Sequence, residues 1–214
     1  MPFKSKTSLQ HVTRECGTEP PFDNEYWNNK QEGYVEYTGL FDEDKSDQPQ
    51  HEKTILAGGC FWGMEHLLQN LHGVIKTQAG YTGGKVTNPT YKLISTGTTG
   101  HAESVEITFN PSKLSYENLL KFFFKIHNPT TFNRQGNDTG TQYRSIIFYF
   151  NEEQRIVAKE VIKKANDSNL FNGNIVTEVL QADKFYPAEE YHQDYLKKNP
   201  QGYSCHYIRE GLEF

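Results

Sequence analysis

Cysteine is scarce in this sequence, and the few cysteines do not form pairs. Cys16, Cys60 and Cys205 are the three cysteines among 214 residues, and no two of them stand in a CxxC arrangement. An odd number of scattered cysteines is a poor disulfide framework and a poor zinc site. The pattern favours redox or nucleophilic use of a thiol.

The sequence also lacks an excess of basic residues. The formal net charge is -5 at pH 7, the isoelectric point is near 5.9, and Lys and Arg are scattered along the chain. A protein that binds nucleic acid or an anionic membrane surface would need a basic face. We therefore expect neither partner.

Long apolar runs are absent as well. No stretch approaches the roughly 20 apolar residues that span a bilayer, and residues 1–10 lack the apolar segment of a secretory signal. We expect a cytoplasmic protein that does not enter a membrane.

Two regions of the chain differ in composition. Residues 1–50 are polar, rich in Asn, Asp, Glu and Pro, and end in an acidic stretch, which is typical of an extension and linker. Residues 51–214 carry the apolar periodicities of a folded domain. The length indicates one domain of ordinary size with a further segment.

Strands and helices alternate in the predicted domain. Period-two and continuous apolar patterns predict strands over residues 54–57, 74–81, 103–109, 143–150 and 175–182. Helical spacing predicts helices from Cys60 and over residues 114–127, 152–165 (with Asn151 as N-cap) and 188–196, followed by an irregular C-terminal tail. The strand at 143–150 has the composition of a central strand buried on both faces. These elements predict an α+β, two-layer sandwich in which helices pack on a mixed β-sheet.

The most informative segment is Gly58-Gly59-Cys60-Phe61-Trp62-Gly63. It places Cys60 where a predicted strand turns into a predicted helix. The N–H groups and partial positive charge of a helix N-terminus favour thiolate over thiol, so we expect a lowered pKa and a nucleophilic sulfur. Phe61 and Trp62 offer an apolar wall to a small uncharged group. A buried structural role is common for cysteine, but the two glycines indicate a tight turn or close approach to a ligand.

Four further clusters accompany this segment. They cover residues 80–84 (GYTGG), 101–104 (HAES), 135–145 (QGNDTGTQYRS) and 191–195 (YHQDY). Together with the GCFWG turn they resemble the A-type peptide methionine sulfoxide reductases, from about residue 52 to the C-terminus. The resemblance implies a ferredoxin-like arrangement of the sandwich and an enzyme that needs no metal and no organic cofactor.

The resemblance also implies a role for each site residue. Cys60 would attack the sulfoxide sulfur of an oxidised methionine, release methionine and become a sulfenic acid. Glu103 matches the proton donor, and burial in an apolar pocket would raise its pKa. Phe61 and Trp62 would hold the S-methyl group and the methionine side chain. The remaining matches are two phenols that would hold the sulfoxide oxygen and one further polar residue: Tyr91, Tyr143 and Asp138.

Cys205 is the resolving cysteine that the resemblance implies. Many relatives have a cysteine directly after Gly-Tyr, whereas this chain has Ser204 there and Cys205 one residue later. A single resolver would form a disulfide with Cys60, which thioredoxin would reduce by exchange. The expected substrates are the S epimer of methionine sulfoxide in peptides and proteins, and free methionine sulfoxide.

Each role has an ordinary structural alternative. A lone glutamate at a strand start is commonly a solvated carboxylate, and Tyr91 and Tyr143 could be core rings whose hydroxyls reach water or backbone. Asp138 could shape a turn. His192 could cap a helix or pack, and we assign it no role. The position of Glu103 within the HAES cluster favours the catalytic interpretation.

The N-terminal extension carries a second resemblance. Residues 11–14 (HVTR), 17–22 (GTEPPF) and 24–27 (NEYW) are similar to the opening segment of B-type methionine sulfoxide reductases. The zinc-binding CxxC pairs and catalytic cysteine of that family are absent, so no activity on the opposite epimer is expected. Cys16 is interpreted as a bystander, although an exposed thiol near the site could exchange with the disulfide.

Two other classes of function stay open at the level of residues. A thiol hydrolase or acyl transferase would use Cys60 as nucleophile with His101 or His192 as base, and would need no second cysteine. A binding module would hold methionine-containing peptides through aromatic side chains without turning them over.

Overall fold

The computed structural model describes residues 51–214. The predicted extension, with Cys16 and the segment similar to B-type enzymes, lies outside the described residues.

A mixed sheet of six strands forms the centre of residues 51–214. The chain contains eight short or long strands in this region: β1 (Glu52–Gly58), β2 (Val74–Thr82), β3 (Ala102–Phe109), β4 (Arg134–Gln135), β5 (Asp138–Thr139), β6 (Ser145–Tyr149), β7 (Glu178–Gln181) and β8 (Tyr186–Pro187). The strand order is β7-β6-β1-β3-β2-β8, with β4 and β5 forming a separate hairpin. Only β6 and β7 pair in parallel, and the other neighbours in this sheet are antiparallel.

Helices cover one face of this sheet. The chain forms α1 (Phe61–Gln69), α2 (Tyr91–Ile94), α3 (Tyr116–Ile126), α4 (Glu152–Asp167) and α5 (Tyr195–Lys198). The larger apolar core lies between α1, α3, α4 and the sheet, and includes Leu56, Val105 and Ile147. A smaller cluster of buried apolar residues occupies the opposite face, where Phe185 packs against it. The α+β, two-layer prediction is confirmed.

The strand β6 is buried on both faces. Successive side chains of a strand point to opposite faces, and here Ile147 joins the larger core while Ile146 and Phe148 join the smaller cluster. Because β6 lies between β7 and β1, the prediction of an interior strand is confirmed.

The predicted helix over residues 188–196 is wrong. The chain instead makes a 3-10 turn at Glu190–His192 and then α5. Between them, the Gln193 side-chain amide accepts a hydrogen bond from the backbone N–H of Ala79 on β2 and donates one to its carbonyl oxygen. The next residue, Asp194, has a left-handed φ of 51°. These tertiary contacts outweigh local helix propensity, which is a weak preference.

Described residues 51–214 contain no helix long and apolar enough to cross a bilayer.

The N-cap of α4 is a testable part of this fold. The Asn151 side chain accepts the backbone N–H of Gln154 at 2.9 Å, as predicted. We expect Asn151→Ala to lower the free energy of unfolding by about 1 kcal/mol, because the helix start loses one acceptor. Asn151→Asp keeps an acceptor and serves as the control in urea denaturation. Equal midpoints for Asn151→Ala and the wild type would show that this cap is not stabilising.

Candidate active site

Cys60 occupies the turn between β1 and α1. Gly59 has a φ of 112°, which favours glycine, and a Cβ there would lie 2.5 Å from Cγ of Gln135. Cys60 is the N-cap residue of α1, which begins at Phe61. The predicted turn from strand to helix is confirmed, and its glycines allow the tight backbone path.

The surroundings of Cys60 disfavour its thiolate. Cys60 is 7% exposed, and burial raises its pKa above the usual value, with a further increase from the nearby Glu103 carboxyl. A hydrogen bond from the Trp62 backbone N–H lowers the pKa by less. The expectation of a lowered pKa at the helix N-terminus is therefore wrong, because desolvation outweighs that N–H group.

Glu103 projects from β3 toward Cys60. It shares a strand face with Val105 of the larger core, since alternate residues point the same way. The residue is 2% exposed, and the backbone N–H of Phe61 donates to its Oε2 at 3.2 Å. Burial raises the pKa of Glu103 to about 8, against the lowering effect of that N–H. The carboxyl is therefore mostly protonated at neutral pH, as expected for an apolar pocket.

Tyr91 and Tyr143 lie beside the same carboxyl. Tyr91 begins α2, and Tyr143 ends the 3-10 turn at Thr141–Tyr143. Burial, and then the proximity of Glu103, raise the pKa of both phenols. Each therefore keeps its hydroxyl hydrogen at neutral pH and can donate it to an oxygen atom.

The two aromatic residues after Cys60 have different environments. Phe61 is 1% exposed and packs into the core against Tyr81, with ring centroids 5.8 Å apart. Trp62 is partly buried and stacks on Tyr195 at 3.8 Å between centroids. Its indole N–H donates to Nδ1 of His192 at 3.0 Å. Trp62 therefore offers the more accessible apolar surface, in a fixed orientation.

The second thiol lies in the C-terminal tail beside this centre. Cys60 and Cys205 are both free thiols. The Cys205 thiol contacts the Asp138 carboxyl and the backbone of Cys60, and its pKa is raised to about 12 by burial and by Asp138. The Tyr203 hydroxyl donates to Oδ2 of Asp138 at 3.2 Å. The fold thus brings both predicted cysteines and all four predicted polar residues together.

The sequence analysis assigned three neighbours of the site no role in sulfoxide reduction. His192 is 1% exposed and holds the Trp62 indole. Glu189 accepts the Tyr91 backbone N–H at 2.9 Å and the Tyr81 hydroxyl at 2.8 Å. His206 follows the second cysteine directly and is 8% exposed. The YHQDY cluster was the available signal for His192, whereas only folding reveals the contacts of the other two.

His101 is not placed as a base for the thiol. Its Nδ1 accepts the backbone N–H of Gly84 at 3.1 Å, and its Nε2 lies 2.8 Å from the carbonyl oxygen of Val86. Both ring nitrogens therefore hold the loop between β2 and α2. Within residues 51–214, no group of three or more His, Cys, Asp or Glu side chains is arranged to hold a metal ion.

Known proteins are similar to this chain in sequence and in fold. The sequence model described as "Peptide methionine sulfoxide reductase" matches residues 52–213. A peptide methionine sulfoxide reductase MsrA from Mycobacterium sp. (strain MCS) is 54% identical over 159 residues, which are 74% of this chain and 91% of that protein. The reduced form of Mxr1 from Saccharomyces cerevisiae superposes with a TM-score of 0.72 at 38% identity, covering 77% of this chain and 95% of Mxr1.

Two further solved structures have the same fold. Methionine sulfoxide reductase A of Corynebacterium diphtheriae has a TM-score of 0.67 and 38% identity, covering 74% of this chain and 79% of that one. Mxr1 in complex with Trx2 has a TM-score of 0.53 at 24% identity, and the match covers 78% of this chain and 97% of Mxr1. Because the family match begins at residue 52, the resemblance of residues 1–50 to B-type enzymes is not borne out.

Proposed function

Because the chain belongs to the peptide methionine sulfoxide reductase family and reduces methionine sulfoxide with a thiol, we propose that Cys60 attacks the sulfoxide sulfur. The pairing of a nearly buried thiol with a nearly buried, protonated carboxyl carries this assignment. Glu103 raises the pKa of Cys60 and holds its own proton up to about pH 8. Reduction of a sulfoxide requires a nucleophile at sulfur and a proton at oxygen.

Glu103 relays a proton in the first step. Its carboxyl donates to the sulfoxide oxygen while it accepts the proton that Cys60 loses. The oxygen moves from the substrate sulfur to the Cys60 sulfur, methionine leaves as the thioether, and Cys60 remains as a sulfenic acid. Thiol and sulfoxide thus become sulfenic acid and thioether without an external reductant. A relay suits a thiol whose resting pKa is raised.

The surrounding side chains orient the sulfoxide. Tyr91 and Tyr143 keep their hydroxyl hydrogens at neutral pH, since the pKa of each is raised, and donate them to the sulfoxide oxygen. Trp62, with Phe61 behind it, provides the apolar wall for the S-methyl group. Asp138 orients the tail through Tyr203.

Cys205 completes the reaction. Its thiol attacks the sulfenic sulfur of Cys60, the S–S bond forms, the S–O bond breaks, and the oxygen leaves as water. The contacts of Cys205 with the Cys60 backbone support this pairing. The disulfide is then reduced by a dithiol.

Thioredoxin is the reductant that we propose. Exposed apolar side chains flank Cys205 in the tail, where Tyr203 is 43% and Tyr207 is 64% exposed, and they offer a docking surface next to the disulfide. Mxr1, a relative at 38% identity in its reduced form, is also known in complex with Trx2.

The substrates are methionine S-sulfoxide in peptides and proteins, and free methionine sulfoxide. Residues 51–214 form the catalytic domain, and residues 1–50 are an extension to it. A reducing compartment such as the cytoplasm suits a reaction cycle that must return both cysteines to thiols.

Single-turnover assays on separated epimers test this function. Reduced enzyme is mixed with a peptide containing either the S or the R epimer, and methionine and free thiols are counted. We expect the S epimer alone to react, with the loss of two thiols for each methionine formed. Equal consumption of both epimers, or a smaller thiol loss, would contradict the proposal.

Cys205→Ser separates the two halves of the cycle. We expect one methionine per enzyme, because Cys60 is still oxidised, but no thioredoxin-driven turnover, because the disulfide cannot form. The Cys60 sulfenic acid should be trapped by dimedone and seen by mass spectrometry. Cys16→Ser is the matched control and should turn over normally.

The same variant distinguishes the rival chemistry. A thiol hydrolase with Cys60 as nucleophile needs no second cysteine, so full turnover by Cys205→Ser would favour it. The contacts of His101 and His192 argue against this rival, since Nδ1 of each ring already accepts an N–H, from Gly84 and Trp62 respectively.

A further inference from the structure

The ring of His206 lies between the end of β1 and the second cysteine of the tail. Its Nε2 lies 2.9 Å from the backbone carbonyl oxygen of Gly58, at the end of β1. A carbonyl oxygen only accepts, so Nε2 carries the hydrogen and donates it. Nδ1 is then an unprotonated acceptor, and it lies 3.3 Å from the sulfur of Cys205. The thiol of Cys205 can therefore donate a hydrogen bond to the lone pair of His206 Nδ1.

We propose that His206 is the general base that removes the thiol proton of Cys205 as this sulfur attacks the Cys60 sulfenic acid. The inference rests on the proposed function, because it concerns the second step of that reaction. The proton passes from Sγ of Cys205 to Nδ1 of His206 while the S–S bond forms. The hydroxyl of the sulfenic acid then leaves, takes a proton from the imidazolium and becomes water, so the ring returns to its neutral form.

The position of the ring is built into the fold. A Cβ on Gly63 of α1 would lie 2.7 Å from Nδ1 of His206 and 2.6 Å from Oγ of Ser204, so the tail approaches α1 because residue 63 has no side chain. Ser204 Oγ also accepts the backbone N–H of His206 at 3.1 Å. Together with the bond to Gly58, these contacts hold Nδ1 against Cys205.

The charge state of the ring suits a base. Burial lowers the pKa of His206 to about 4, so the ring is neutral at pH 7. Three charged or titratable groups act on it: Asp138 raises its pKa, Arg209 lowers it, and His127 lies near enough for the two rings to interact. The Asp138 carboxylate therefore stabilises the imidazolium that the transfer creates.

Proton transfer must accompany sulfur attack. Before the S–S bond forms, the pKa of Cys205 is about 12 and that of His206 about 4, which makes a free thiolate–imidazolium pair costly. Bond formation withdraws electrons from Sγ and makes its proton acidic. General-base catalysis assists this kind of step, typically by about 10²–10⁴-fold.

Asp138 is the competing acceptor. Its carboxyl also contacts the Cys205 thiol, and it accepts the Tyr203 hydroxyl. The test must therefore compare both residues in the full chain.

The substitution His206→Gln tests the base directly. The amide nitrogen of glutamine replaces the donor at Nε2 and keeps the bond to Gly58, but no atom of glutamine accepts a proton near neutral pH. Reduced Cys16→Ser enzyme, with and without His206→Gln, is mixed with the S-sulfoxide peptide and quenched at timed intervals. Methionine is counted by chromatography, and sulfenic acid and disulfide by mass spectrometry. His72→Gln, an exposed histidine after α1, is the matched control.

We expect His206→Gln to form the first methionine at the wild-type rate and the disulfide about 100-fold more slowly at pH 7. The slow step should recover about tenfold per pH unit as the Cys205 thiolate forms without the ring, whereas the wild-type step should change little from pH 6 to 8. His72→Gln should match the wild type.

Three results would overturn the inference. The first is disulfide formation in His206→Gln at the wild-type rate, and the second is slow disulfide formation in His206→Gln that does not become faster at alkaline pH. The third is disulfide formation that becomes faster at alkaline pH in Asp138→Asn but not in His206→Gln. The second would reduce the ring to a spacer, and the third would assign the base to Asp138. Failure of the wild type to release methionine would instead overturn the proposed function.

Discussion

Cys60→Ser should lose methionine sulfoxide reduction almost completely, by about 10⁴-fold or more in kcat/KM, the scale seen when an enzyme loses its nucleophile. A serine hydroxyl is a far weaker nucleophile than sulfur and cannot take up oxygen as a sulfenic acid. Steady-state turnover with thioredoxin, and methionine release in a single turnover, both measure the loss.

The matched control is Cys16→Ser, which removes a thiol outside the described residues. It should keep wild-type turnover, since two cysteines suffice for the cycle. If Cys60→Ser still released methionine, another thiol would have to be the nucleophile. If the wild type bound oxidised peptides without ever producing methionine, the chain would act as a binding module.

Glu103→Gln should slow the first step by about 10²–10⁴-fold, the usual contribution of a positioned acid or base. Glutamine has nearly the same shape but can neither donate a carboxyl proton to the sulfoxide oxygen nor accept the Cys60 proton. Glu106→Gln is the control on the same strand, because Glu106 pairs with Lys53 at 3.1 Å instead of facing Cys60. Methionine formation in a single turnover is the measurement.

We expect the pH dependence of the wild-type rate of methionine formation to follow the ionisation of the Glu103 carboxyl. The pKa of Glu103 is raised from the usual 4.5 to about 8, so the proton is present below about pH 8 and is lost as the pH rises through that value. We therefore expect the rate of methionine formation to fall above pH 8, where the carboxylate also disfavours ionisation of Cys60.

Two outcomes would contradict the role of Glu103. A similar rate for Glu103→Gln and Glu106→Gln would remove it from the reaction. A wild-type rate that rises through pH 8 would show that Cys60 must ionise before it attacks, and would contradict the relay.

Most of the elements that position the site were predictable, because their signals are local. The glycines at 58 and 59 and the apolar periodicities around them predicted β1, the turn and α1. The prediction of a helix over residues 188–196 was wrong because Gln193 and Asp194 form hydrogen bonds with residues distant in sequence, Ala79 and Glu65. A local sequence pattern carries no information about such bonds. The two-residue strands and α2 were also missed, since elements this short carry too little pattern.

The residues of the candidate site also differ in how far the local sequence identified them. Cys60 was identified from its own neighbours, whereas Glu103, Tyr91 and Tyr143 rested on a family resemblance. Residues alone would have made Glu103 an ordinary solvated carboxylate. The fold places it 2% exposed beneath the start of α1, and that burial raises its pKa and keeps the carboxyl mostly protonated at neutral pH.

The order of residues along the chain was enough to propose Cys60 as the nucleophile, to place it at a helix start and to show a second thiol in the tail. It was not enough to give the protonation states. A helix N-terminus alone would lower the pKa of Cys60, yet the packed structure raises it, because desolvation depends on every element that closes around the sulfur. The placement of His206 against Cys205 likewise required folding, since the tail is distant in sequence from β1 and α1 and meets them only when the core forms.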